Sequence, residues 1–369
     1  MTTFSKKKPA APRRPALRKA TLADVSRLAG VSPATASMVL NSREGVSFTE
    51  TTVASVLAAA DTLQYKTVAR RKTAVSDQKR RTVLIVVPNV TNAYYTTVIQ
   101  AIQQSAAREN CDTAVYTTYR SLDNELAALA FAENAQLAGI IFTMLSHHEE
   151  IIPRVNRAIP VVVIGDRRAD LNVDTVELNN YNAGSLLAQH MAELGHTHLA
   201  YISTSLDENN IIRTQRLKGL RETFLKLRPE GSILVKSRDI SPKTELDNME
   251  IEYAIGSELA RECFPAKDIT AFVAINDLVA YGVIDAVRHA GLSVPGDYSV
   301  CGFDNILPSK FSGVSLTTIE HYIKDTGHNA FDILYAKIKG TASSHNITRV
   351  EFKHKLIVRE STAPPRKTR

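Results

Sequence analysis

The sequence predicts an α/β chain, with a three-helix headpiece ahead of a two-lobed core of parallel sheets. Three observations predict it. Residues 20–41, ATLADVSRLAGVSPATASMVLN, carry the caps and apolar spacing of two short helices joined by a glycine turn. From residue 82 onward short apolar runs alternate with amphipathic stretches, the signature of βαβ units and parallel pairing. The alternation runs twice, so two α/β halves face one another, and a ligand belongs beyond the carboxyl ends of their strands.

The headpiece comes first. Thr21 and Asp24 have capping-box spacing, and Leu22, Val25, Leu28 and Ala29 share a face. Gly30 suits a left-handed helix end. Ser32 is a second N-cap with Pro33 at the first helical position, where its missing N–H costs nothing. Ala36, Val39 and Leu40 give the second helix its apolar side. Two short helices bury too little alone. Ser47 and Glu50 predict a third helix carrying Val53, Val56, Leu57, Ala60 and Leu63. The whole, residues 20–64, is a helix-turn-helix, whose second helix enters a DNA major groove.

Charge agrees. The 369 residues carry net +7, yet residues 1–81 hold 16 Lys/Arg against 5 Asp/Glu, a net +11 that leaves −4 for the rest. A basic segment coinciding with the helix-turn-helix marks a polyanion binder. Residues 1–19, rich in Ala, Pro, Lys and Arg, predict a disordered basic tail, residues 65–81 a basic linker, and 364–369 a second basic tail.

The core is taken in order. Strands are expected at Val83–Val87, Thr113–Thr117, Gly139–Thr143 and Val161–Ile164, with helices at Tyr94–Glu109, Asp123–Ala135 and His148–Arg157 between them. The second alternation has helices at Asn182–Leu194, Arg213–Leu227, Met249–Cys263 and Leu278–Ala290. Its strands fall at His198–Ser203, Ile233–Val235, Thr270–Ile275 and Tyr298–Cys301. A returning strand at Leu316–Ile319, a long helix at Tyr322–Lys339 and final strands within Ile347–Val358 complete residues 82–363. The two lobes are expected at about 82–180 with 303–320, and about 181–302 with 321–363.

Several classes are excluded. No apolar run reaches 18 residues and no apolar segment follows the N-terminal lysines, so neither a membrane span nor a secretory signal is expected. Three cysteines, Cys111, Cys263 and Cys301, are far apart, which predicts reduced thiols, a cytoplasmic setting and no structural zinc. G-x-S-x-G, G-x-x-x-x-G-K-[ST] and H-E-x-x-H are absent. The close histidine pairs, His147-His148 and His196-x-His198, read as a helix start and a strand entry. Neither an enzyme, a cofactor nor a metal is expected.

With TLADVSRLAGVSPATASMVLN come, in order, VLIVVPNVTNAYYTTVIQAI, LGHTHLAYI, RLKGL, INDLVAYGV, VPGDYSVCGFDN and LTTI. This ordered set resembles the lactose-repressor (LacI/GalR) family from about residue 20 to Thr362. The resemblance implies a homodimer on palindromic double-stranded operator DNA. It also implies a periplasmic-binding-protein-like core that closes on a small effector, a sugar or nucleoside. The alternative is a solute-binding protein of the same core fold. On the DNA side the resemblance places Pro33, Ala34 and Met38 at bases, and Thr21, Ser32, Thr35, Ser37 and Asn41 at phosphates or base edges. Pro33, Ala34 and Met38 are apolar here, so bidentate base recognition is lost and thymine-methyl contact remains. The linker departs too. The family's Pro–Asn pair is missing, Lys72 or Ala74 stands at its wedging leucine, and Arg70, Arg71 and Lys72 supply charge to the groove.

For the effector the resemblance singles out Tyr94 and Tyr95, one of them expected in the core, with Asp166 and Arg216. Asn276, Asp277 and Asp304 lie at strand ends, where amide and carboxylate groups hold hydroxyls; Asp277 reads equally as a helix cap. The helices at Tyr94–Glu109 and Leu278–Ala290 are the expected dimer surfaces.

Overall fold

The computed structural model describes residues 20–40, 48–63, 65, 81–144, 148, 150–166, 171–207, 210–343 and 345–366. The chain divides into two units, Met1–Lys79 and Arg80–Arg369.

In the first unit, α1 (Leu22–Ala29), α2 (Pro33–Leu40) and α3 (Glu50–Thr62) enclose a small core of Val25, Ala36, Val56, Ala59 and Ala60. Asp24 Oδ2 accepts from both the Thr21 N–H (2.8 Å) and the Thr21 hydroxyl (2.6 Å), closing the start of α1. Gly30, at φ +69°, ends it. Three expectations change. The cap of α3 is Thr49, whose hydroxyl accepts from Thr52 N–H at 3.3 Å; Ser47 lies outside the described residues. Leu28 is 54% exposed and Leu57 52%. At 100° per residue each sits roughly 80–100° from the centre of its helix's buried stripe.

The second unit holds two six-stranded sheets. In the first lobe β1 (Thr82–Val87), β2 (Asp112–Thr117), β3 (Gly139–Phe142), β4 (Val161–Gly165) and β5 (Asp174–Glu177) are linked through α4 (Ala93–Arg108), α5 (Leu122–Asn134) and α6 (Ile152–Ala158). Alternate β1 residues pack to opposite sides: Val83, Ile85 and Val87 join one core cluster, and Leu84 and Val86 another. Burial on both faces explains the continuous apolar run. In the second lobe α7 (Asn180–Leu194), α8 (Ile211–Leu227), α9 (Pro242–Asp247), α10 (Ile251–Cys263) and α11 (Asp277–His289) surround β6 (His198–Thr204), β7 (Ser232–Arg238), β8 (Ala271–Ala274), β9 (Ser299–Phe303) and β10 (Thr317–Glu320). Then come α12 (Ile323–Lys339), β11 (Arg349–Glu351) and β12 (Lys355–Ile357). Strand β5 and helix α9 were not foreseen.

The strand orders are β11-β5-β4-β3-β1-β2 and β12-β10-β9-β8-β6-β7. All pairs are parallel except β10 with β12. This corrects the expected lobe boundaries. Strand β10 belongs to the second lobe, and α12 and β11 return to the first, where α12 packs on α4 and the sheet. The chain thus crosses between lobes three times, near residues 178–179, 321–322 and 352–354. Tyr322 adopts φ +52° at the second crossing. Among the described residues no helix is long and apolar enough to cross a membrane.

Candidate functional site

The headpiece presents one recognition surface. Ser32 Oγ accepts from Thr35 N–H at 3.0 Å, and the two hydroxyls are 2.8 Å apart, so α2 starts on a fixed cap. Ala36 is fully buried, which turns Ser32, Pro33 and Ala34 outward and leaves Thr35, Ser37 and Met38 half-buried. The outward side thus holds Pro33 and Ala34 of the apolar set expected at bases, beside the Ser32 hydroxyl, while Met38 is half-buried. The Thr21 hydroxyl is engaged with Asp24. Asn41, Arg70, Arg71 and Lys72, like His147, lie outside the described residues.

The second site lies between the two sheets, at the carboxyl ends of their strands. A cavity of about 60 Å³ is lined by Tyr94, Tyr95, Arg120, Arg213, Arg216, Glu252, Asn276 and Asp304, among others. Its walls are tied together by three charge pairs. Arg120 of the first lobe donates to Glu245 of α9, which also accepts the Asn89 amide. Glu252 of α10 lies 3.8 Å from Arg213 and accepts the amides of Asn92 (2.9 Å) and Asn276 (3.1 Å). Arg216 is the third centre. Its Nε donates to Asn180 Oδ1 (2.7 Å), Nη1 to the Ile275 carbonyl (2.7 Å), and Nη2 to Asp304 (3.3 Å) and His321 Nε2 (3.2 Å), with the Phe303 ring 4.6 Å away.

A backbone feature and a side-chain pair frame this network. Asp304 is held at φ +106°, a conformation costly for a non-glycine residue and kept where surroundings enforce it. His321 and His354 stand at the second and third crossings with Nδ1 atoms 3.2 Å apart and rings edge to face. Because His321 Nε2 accepts from Arg216, its proton sits on Nδ1 toward His354. Burial, Arg216 and His354 hold His321 well below the usual imidazole range, and burial, then Arg216, hold His354 at about 4. Both are neutral at physiological pH.

Tyr94 and Tyr95 meet edge to face at 5.1 Å and both line the cavity, although Tyr94 also joins the first-lobe core. The buried Tyr94 hydroxyl has no hydrogen-bond partner, and burial pushes both phenols up. Two expected site residues are placed elsewhere. Asp277 is neither in the cavity nor a cap. It is fully buried, accepts from Ser309, Thr318 Oγ1 (2.7 Å) and Ile306 N–H (3.2 Å), and ties α11 to β10, while Asn276 caps the helix. Asp166 lines a separate pocket of about 360 Å³ beside the first crossing. Its Oδ1 accepts from the Asn180 backbone (3.2 Å) and side chain (2.7 Å). Strand β4 is separated from β1 and β2 by β3, and residues that follow β1 and β2, among them Tyr94, Tyr95 and Arg120, line the cavity.

Burial pushes Asp166 up to about 6, against the hydrogen bonds from Asn180. A carboxyl raised on folding stabilises fully below its unfolded value and loses that contribution as pH rises through the folded one. Asp166→Asn is therefore expected to gain stability over the native chain at pH 8, on the order of 2–3 kcal/mol, and nothing at pH 3.5. Urea denaturation at both values reads the difference.

Sequence reasoning missed Asn89, Asn92, Arg120, Arg213, Glu245, Glu252, His321 and His354. Arg213 had a signal: it precedes Arg216 by three residues, on the same helix face. Arg120 also had one, just past a strand's carboxyl end.

Residues 21–68 match the model for "Bacterial regulatory proteins, lacI family", and residues 188–362 the "Periplasmic binding protein-like domain". The HTH-type transcriptional regulator reg1 of Streptomyces lividans is 30% identical over 351 residues, covering 93% of this chain and 96% of that protein. The HTH-type transcriptional repressor PurR of Actinobacillus pleuropneumoniae is 27% identical over 348 residues, covering 93% and 98%. Among solved structures, a LacI family transcriptional regulator from Enterococcus faecium with bound ribose superposes with TM-score 0.65 at 21% identity. It covers 77% of this chain and 99% of that one. A CelR–cellobiose complex gives 0.64 at 23%, covering 93% and 99%.

Proposed function

Because the chain belongs to the lacI family of bacterial regulatory proteins, and is thus a DNA-binding transcriptional regulator, we propose a ligand-controlled repressor whose effector is a neutral polyhydroxyl compound, a sugar or nucleoside. The chain acts as a homodimer, since one headpiece makes few contacts and a twofold pair reads both halves of a palindromic operator. The observation that carries the ligand class is the pairing of the cleft's charges. Arg120, Arg213 and Arg216 each have a carboxylate partner, Glu245, Glu252 and Asp304. None of the three guanidiniums is left without an acidic partner for a phosphate or carboxylate to claim. Paired amides and carboxylates around two tyrosine faces instead suit hydroxyls and a ring. The unpartnered Tyr94 hydroxyl supplies one open polar contact.

The cavity, about 60 Å³, is far below the roughly 300 Å³ of the smallest drug-sized pockets. Effector entry therefore requires the lobes to part at the three crossings and the Arg120–Glu245 and Asn92–Glu252 contacts to break. That movement is the differential interaction through which a ligand shifts operator affinity. The same core fold serves solute-binding proteins, but the helix-turn-helix unit favours regulation.

The test is a thermal-shift screen of sugars, nucleosides and phosphosugars on the full chain, with hits added to an operator-binding assay. A neutral compound is expected to raise the melting temperature and change operator affinity. Stabilisation by phosphosugars alone would overturn the ligand class. On the DNA side, replacing a contacted thymine by uracil is expected to weaken binding about fourfold per methyl lost. Replacing a guanine that faces Pro33, Ala34 or Met38 by 7-deazaguanine is expected to leave affinity unchanged, because these three side chains make no hydrogen bond to N7. Gel-shift titrations at fixed salt check both.

A further inference from the structure

Beside the cavity lies a second chamber of about 180 Å³. Arg120 and Arg213 line both spaces, and Glu245, the partner of Arg120, lines the outer one. The Arg120–Glu245 pair therefore stands between them. Arg120 and Leu122 reach the outer chamber from the first lobe, and Ser205, Asp207, Asn210 and Ile240 from the second, so both spaces lie in the gap between lobes.

Both halves of the dividing pair are held in unusual ways. Tyr119 and Arg120 are consecutive residues in the left-handed region, at φ +51° and +54°. Such backbone is costly for residues with a side chain and is kept where the surroundings enforce it. Across the gap, residues 241–250 are exposed except for Glu245, which is buried. Helix α9 thus puts one side chain into the body of the protein, and that side chain accepts from Arg120 and Asn89 of the other lobe. A helix anchored by so few buried groups opens at low cost once those bonds are exchanged. When the pair parts, the two chambers merge into a space approaching the roughly 300 Å³ of small-ligand pockets, which neither reaches alone.

The lining of the outer chamber selects among neutral ligands. Tyr94 and Tyr95 give the inner cavity its ring faces, whereas no aromatic side chain is among the described residues of the outer lining. A nucleobase has nothing to stack on there. The charges balance, with Arg120 and Arg213 against Asp207 and Glu245. Asn210 donates its amide to Asp207 at 2.6 Å, a pair that one hydroxyl can bridge as donor and acceptor. Leu122 and Ile240 add apolar surface for ring C–H groups.

Resting on the polyol reading of the cleft, we propose that the effector is a neutral two-ring saccharide and that Arg120 and Glu245 read its length. One ring lies against Tyr94 and Tyr95 and the other fills the outer chamber. Hydroxyls of the second ring take over the bonds of the dividing pair: Arg120 donates to them and Glu245 accepts from them. Neither charge is then buried without a partner. A single ring in the inner cavity offers no such exchange and meets the full cost of a parted pair.

The test is calorimetric titration of the full chain with neutral sugars of two lengths. Glucose, galactose and xylose are set against maltose, cellobiose, lactose and xylobiose, with adenosine and uridine alongside. At least one disaccharide is expected to bind about tenfold or more tightly than any monosaccharide or nucleoside, the equivalent of one or two added hydrogen bonds. Asn210→Ala, at the half-buried start of α8, should narrow that ratio several-fold, with circular dichroism reporting that the variant folds. A monosaccharide or nucleoside that binds as tightly as every disaccharide would overturn the length reading and leave the polyol reading standing. An unchanged ratio in Asn210→Ala would overturn it too. Binding by none of these neutral compounds would overturn both readings together.

Discussion

Arg216→Met is expected to destabilise the chain by about 3–5 kcal/mol, the cost of leaving a buried ion pair half removed. Methionine keeps most of the apolar stem, so the loss isolates the guanidinium rather than opening a large cavity. Four acceptors lose their donor together: Asn180 Oδ1, the Ile275 carbonyl, Asp304 and His321. Asp304 is 5% exposed and Arg216 6%, so water cannot readily replace the lost contacts. Burial already raises Asp304 and Arg216 opposes that rise. Without the arginine the carboxyl moves further up and keeps its proton to higher pH. A raised carboxyl loses stability as pH climbs toward its folded value; with the native value already at about 8, the penalty of Arg216→Met should be level below that pH and grow above it. Arg216→Lys keeps a charge but not the fork that reaches four acceptors, and an intermediate loss is expected. Adding Asp304→Asn to Arg216→Met should recover part of the loss, since no charge then remains unpaired. Urea midpoints at two pH values check all three, and a loss under 1 kcal/mol in Arg216→Met would remove the network from the account.

The headpiece was largely legible because its signals are local. A cap, a glycine and a proline within a dozen residues specify the turn, and Ser32 and Gly30 hold the positions their side chains predict. Strand-end logic also found Asn276 and Asp304, which line the cavity. The rest of the site is written in distant pairings. Asn92 meets Glu252 across 160 positions and Asn89 meets Glu245 across 156. Glu245 sits on a six-residue helix, and a single turn and a half carries no measurable period. The lobe exchange was hidden for the same reason. Strands β11 and β12 have three residues each, too few for alternation to reveal which sheet they join. Asp277 was misread because a carboxylate that follows a strand end into a cleft and one bonded to Thr318 across the sheet have the same local sequence.

Gly219→Ala should be still more damaging to the site than its size suggests. A Cβ at Gly219 would lie 1.9 Å from the Tyr181 carbonyl oxygen, and one at Gly184 would lie 2.1 Å from the Arg216 carbonyl oxygen. Each glycine of the α7–α8 pair thus receives the backbone of the other helix, and a helical carbonyl cannot rotate aside as a side chain can. The helices must separate. Overpacking of this kind costs about 1–3 kcal/mol where neighbours relax and more where they are backbone, so a loss of about 4 kcal/mol is expected. The functional cost arises because α7 begins with Asn180 and α8 carries Arg213 and Arg216. Spreading them stretches the 2.7 Å Asn180–Arg216 bond, which joins the first crossing to the cleft. The opposite pair, α10 with α11, repeats the device: Cβ atoms at Gly256 and Gly282 would meet the Val279 and Tyr253 carbonyls at 2.1 and 2.0 Å. Those helices present Glu252 and start at Asn276. Gly291→Ala is the control, since its Cβ meets nothing within 4 Å and only its φ of +74° is strained, a cost of about 1 kcal/mol. If urea midpoints placed Gly219→Ala beside Gly291→Ala, close helix contact would not be what positions the arginines.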